Sequence, residues 1–158
     1  MEEQYKTLFN NIYEHVAKIH NIEKNPTQYD KLRLTHKSLF YFKLEVMLHS
    51  YRNTLSDEWG VLSGINAAYH LISFKQNTPL TTVVTLSPKQ VIFILADEVQ
   101  RFNLPRQAIE EITHPYLARL QGEEIQQPPL DWNVDGEWPL GAAEKVLYSE
   151  KKLFRFEP

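Results

Sequence analysis

The chain has 158 residues, 42% of them hydrophobic and 12% aromatic, with no cysteine and a formal net charge of -3. That length suits one domain with an adequate core, and the lack of thiols excludes disulfides, thiolate metal sites and cysteine nucleophiles. Slight acidity argues against a surface dominated by phosphate contacts, which needs an excess of Lys and Arg. The opening Met1-Glu2-Glu3-Gln4 lacks the basic and apolar regions of a signal peptide. No window approaches the ~18 consecutive apolar residues of a spanning helix, so the expected location is cytoplasmic, without a membrane partner.

The first helix is predicted over about 2–20. Tyr5, Leu8, Phe9, Ile12, Val16 and Ile19 recur every three or four residues and form one apolar stripe. Glu2 and Glu3 at its start, and Lys18 and His20 near its end, complement the helix dipole. Residues 21–28, with Pro26, read as a loop. A second helix is predicted from about Asp30 to Arg52. Phe40, Leu44, Met47, Leu48 and Tyr51 make one stripe, and Leu39, Phe42 and Val46 a second. A helix apolar on two faces must be covered twice, as the centre of a bundle or against another subunit.

Thr54-Leu55-Ser56-Asp57 fits a capping box opening a third helix over about 55–75, with Leu62, Ile65, Tyr69 and Ile72 inward. Gly60, Gly64 and Ala68 are spaced to allow a close helix crossing. Residues 78–86 are β-branched and turn-bounded, which predicts a short strand or extended connector. Ser87-Pro88-Lys89-Gln90 is a strong helix start, with a capping Ser, Pro in the first turn and Gln completing the box. Val91, Ile92, Leu95, Val99 and Phe102 would face inward, and Asn103 would stop the helix in left-handed geometry. Pro105 opens a fifth helix that Pro115 breaks near residues 113–114. A short sixth helix would end at Gly122.

From Glu123 onward the composition shifts to Pro128-Pro129, Trp132, Trp138 and Pro139. This divides the chain into a helical domain, 1–122, and a C-terminal extension, 123–158, packed on the helical body or on a partner subunit. Gly141 to Tyr148 is a candidate short helix. Asp131 to Gly136 matches half of a calcium loop, but position 12 is Ala142 instead of the bidentate Glu that the cation needs. A hairpin or related turn at Asp135-Gly136 is the better reading. The expected fold is mainly all-α: five to six helices in an irregular bundle, with a small hairpin or turn in the extension.

Chemistry-bearing patterns are sparse. His15 and His20 would point about 140° apart on a helix, and the other histidines are dispersed, so no metal or cofactor is expected. Adjacent acids such as Glu110-Glu111, and the basic groups Lys31, Arg33, Lys37 and Lys43, read as solvated faces. No nucleophile elbow or glycine-rich phosphate loop occurs. The segment Asn103-Leu104-Pro105-Arg106-Gln107-Ala108-Ile109 resembles the turn and second-helix start of a helix-turn-helix motif. That resemblance implies base-reading roles for Arg106 and Gln107, aided by Arg101.

The leading functional expectation is a non-enzymatic interaction or regulatory protein that self-associates. Its candidate anchors are Trp132, Trp138, Phe154 and Phe156, because aromatics bury large rigid surfaces at interfaces. The alternative is a helix-turn-helix DNA-binding regulator using 99–112. A second alternative is an enzyme in which His49 or His70 meets carboxylates in a cleft.

Overall fold

A computed structural model describes residues 3–55, 62–113 and 135–147. Those residues form seven helices and no strand: α1 (Gln4–Ile19), α2 (Gln28–Thr54), α3 (Asn66–Gln76), α4 (Leu80–Val83), α5 (Pro88–Arg101), α6 (Arg106–Thr113) and α7 (Ala142–Val146). The all-α expectation holds, with a helix count slightly above the five or six expected.

The longest helix, α2, is the hub. It packs against α1, α3, α5 and α7, while α6 packs on α1 and α4 on α3. Every residue from 37 to 49 is buried, so the two apolar stripes are both covered within this one chain. Phe42 meets Phe9 and Tyr5 of α1, and Leu8, Ile12 and Val16 complete that side of the core. Helix α5 contributes Val91, Ile92, Leu95, Ala96 and Val99 on the other side.

The ends of the helices follow from local chemistry in some cases and from distant residues in others. At Ser87 the predicted box forms, with Gln90 N–H on the Ser87 hydroxyl and Ser87 N–H on the Gln90 amide oxygen. An equivalent box starts α2, where Thr27 and Asp30 cap each other reciprocally. Asn77, at φ 52°, closes α3 in left-handed geometry. Helix α1 has no local side-chain cap. Instead Glu111 of α6 accepts from Tyr5 N–H at 3.0 Å and Lys6 N–H at 3.2 Å.

Several local expectations are corrected. Thr54 is the last residue of α2 and its hydroxyl donates back to Tyr51 O, so it starts no third helix. Helix α3 begins only at Asn66, and Gly64 lies before it at φ 58°. The β-branched stretch around residue 80 forms one helical turn, with Thr82 and Val83 N–H on the Pro79 carbonyl. A lone strand needs a neighbour to satisfy its backbone, and a helical turn supplies its own acceptors. Helix α5 ends at Phe102 in extended geometry, where the ring packs on the core, and Asn103 is not left-handed. The expected sixth helix near 116–122 lies outside the described residues.

Residues 135–147 lie along α1 and α2. Gly136 turns at φ 80° and Gly141 at φ 78°, a region that favours residues without Cβ. No strand follows the Asp135-Gly136 turn among the described residues. Glu137 and Trp138 are both buried, whereas consecutive strand residues would face opposite sides.

Candidate functional site

The densest polar chemistry lies where 135–147 crosses α2. Lys37, Tyr41 and Glu45 follow one another at helical spacing, and Arg52 lies further along the helix. Glu137 is fully buried. Its Oε1 accepts from Lys37 Nζ at 2.8 Å and from Tyr41 O–H at 2.5 Å. Its Oε2 lies 2.5 Å from Nε2 of His20, which follows directly on α1. An ionised carboxylate with no access to water is tolerated only when paired and hydrogen-bonded, and these three side chains meet that condition. Burial, with the Glu137 carboxylate beside it, pushes the Tyr41 phenol far above its ordinary range, so it remains a donor.

One turn along, Glu45 organises the next part of the seam. Its Oε2 accepts from Trp138 Nε1 at 3.1 Å and its Oε1 from Ala143 N–H at 3.0 Å, which satisfies an orphan donor at the start of α7. Burial pushes the Glu45 carboxyl up; its bonds to Ala143 and Trp138 and the charge of Arg52 oppose this, and Glu144 reinforces it. Arg52 Nη1 is 3.1 Å from Glu144 Oε1, which also accepts from Gly64 N–H at 2.6 Å.

This seam revises two readings of the sequence. Lys37 and Lys43 belong to no solvated face. Lys37 is sealed against Glu137, and Lys43 is nearly buried with its ammonium on the Gln100 carbonyl. His15 and His20 converge on one turn, because His15 Nε2 donates to Gly136 O while His20 meets Glu137. Sequence spacing does not reveal this, since the shared target is more than a hundred residues away.

Of the four aromatic anchors, Trp138 is 5% exposed and is spent on the chain's own core and on Glu45. Trp132, Phe154 and Phe156 lie outside the described residues. The helix-turn-helix candidates are on the surface. Arg106 Nε pairs with Glu110 Oε1 at 2.9 Å, and Arg101 Nε donates to Asp97 O. Gln107 is exposed beside them. Helix α6 turns Ala108 and Ile112 inward and packs on α1. Glu111, read as part of a solvated face, is the cap on α1.

The histidines proposed for catalysis are also accounted for. His70 Nδ1 is 2.7 Å from the Tyr51 hydroxyl, and His49 is buried on α2. One histidine–carboxylate pair among the described residues, His20–Glu137, has its carboxylate closed to solvent. Among the described residues no group of three or more His, Asp or Glu is arranged to hold a metal ion. None of their helices is long and apolar enough to cross a membrane.

Large apolar side chains are exposed at several places, Tyr29, Ile109 and Leu140 among them. Phe74 of α3 is 76% exposed and Phe93 of α5 is 49% exposed, with Leu80 of α4 and the adjoining Val84 also open. These residues lie on three successive helices, with α3 packed against both α4 and α5. The chain matches no family model, no curated protein and no solved structure with which it was compared.

Proposed function

We propose that this chain is a non-enzymatic, self-associating interaction protein of the cytoplasm, and that its contact surface is the α3–α4–α5 face. The observation that supports this most is the exposure of Phe74 and Phe93 with Leu80 and Val84 on packed neighbouring helices. Exposed large apolar side chains offer contact area that association would remove from water. Of the four anchors suggested by the sequence, Trp138 is taken up by the chain's own core, and Phe74 and Phe93 are put forward for the role beside them. A net charge of -3 is small enough for two copies to approach without strong repulsion.

The non-enzymatic part rests on how the buried polar groups are used. His20, Lys37, Tyr41 and Glu137 satisfy one another, and Glu45 is bound to Trp138 and α7, so they hold the fold together. The test is light scattering or sedimentation at tens of micromolar. The expected mass is a multiple of 18.6 kDa, falling to one copy in Phe74→Ser/Phe93→Ser. A wild type that stays at one copy overturns the reading.

A further inference from the structure

A cleft of about 210 Å³ opens where α2, α3 and α5 meet. Its apolar lining is Met47, Leu71 and Phe102, and its polar lining is Tyr51, Lys75, Glu98 and Arg101. An apolar cavity of about 150 Å³ admits benzene, so the cleft has room for one ring with a short arm. Sites between the helices of a bundle are common positions for small ligands.

The charge around this cleft is unbalanced. Glu98 is the one carboxylate in the lining. It is engaged by Lys75 at 2.8 Å, with Arg101 at 3.9 Å. Arg101 extends into solvent with its side chain 75% exposed. Two cations, Lys75 and Arg101, thus face one acid in the lining. Tyr51 is tied to His70 and adds a polar edge without a negative charge.

We propose that the cleft binds a small amphiphilic monocarboxylate, with its apolar body against Met47, Leu71 and Phe102 and its carboxylate toward Arg101 and Lys75. The complement is a single negative charge on a short apolar body, because the lining is apolar below and positive in balance at the mouth. Met47 suits this role, since an unbranched thioether adapts to ligands of differing outline.

The sequence holds two methionines, Met1 and Met47, and in a methyl-labelled chain of all 158 residues Met47 reports on the cleft. Titration with phenylacetate is expected to shift the Met47 methyl saturably in the submillimolar range. The neutral 2-phenylethanol and the cationic phenethylamine should each bind about tenfold more weakly or worse, the equivalent of one lost charge pairing. Leu71→Trp should fill the cleft and abolish the shift. Arg101→Glu, at an exposed position that leaves the core intact, should weaken phenylacetate by at least the same factor. No Met47 shift at millimolar phenylacetate in the folded chain overturns the proposal. So does equal binding of the amine, or an unchanged affinity in Arg101→Glu.

Discussion

At the scale of single residues, the decisive fact is that Glu137 is ionisable and fully enclosed. Removing one member of such a cluster leaves the others buried without compensation, whereas neutralising both charges relieves much of the cost. Lys37→Met is therefore expected to lower stability by roughly 3–5 kcal/mol, a large share of the ~5–15 kcal/mol typical of a domain. Adding Glu137→Gln should recover part of that loss, because the amide oxygen still accepts from Tyr41. Urea denaturation of the two variants measures both effects. Glu45 is the converse case. Burial raises its folded-state pKa, so its contribution is greatest below the unfolded value of about 4.3 and is lost as pH rises through the folded value. Glu45→Gln should remove this dependence, so the stability of the wild type relative to the variant falls from pH ~4 upward. Denaturant midpoints across that range check the sign.

At the scale of elements, helix ends divide by where their caps come from. The Thr27–Asp30 and Ser87–Gln90 boxes each lie within four residues of sequence. The second was legible because Pro88 and Gln90 fit the familiar pattern. The first was missed because Asp stands where Glu or Gln is usual. The cap on α1 comes from Glu111, more than a hundred residues away, and no local pattern could announce it. Glu111→Ala is expected to cost about 1 kcal/mol, the usual value of a lost N-terminal cap. It should also speed hydrogen exchange in the first turn of α1, which is the measurement that separates capping from a general loss of packing. The stretch around residue 80 misled because β-branched composition marks strands only where a sheet edge is available to pair with. Here one turn of helix between Pro79 and Val84 satisfied the backbone instead.

At the scale of the whole molecule, residues 135–147 complete the enclosure of α2. They carry both the partner of Lys37 and the groups that Glu45 binds. A chain ending at residue 134 should expose Lys37, Tyr41 and Glu45 to water on one side of the hub helix. The expected outcome is a markedly lower thermal midpoint and a broader transition, read by calorimetry. A truncated chain that melts cooperatively at the wild-type temperature would show that the helical body needs no cover. The two apolar stripes of α2 were readable as a demand for two covers. Which surfaces supply them was not, because the cover from residues 135–147 includes polar and charged contacts through Glu137, Trp138 and Glu144 that leave no periodic signature.

Apolar periodicity and local capping were enough to establish an α-helical chain whose second helix needs cover on two faces, since both depend on residues a few positions apart. The pairing of Glu137 with Lys37, Tyr41 and His20, the capping of α1 by Glu111, and the burial of Trp138 depended on the folded arrangement. Each joins residues from distant parts of the chain, and a charged side chain is driven inward only when its counterpart is brought there by the packing of the helices.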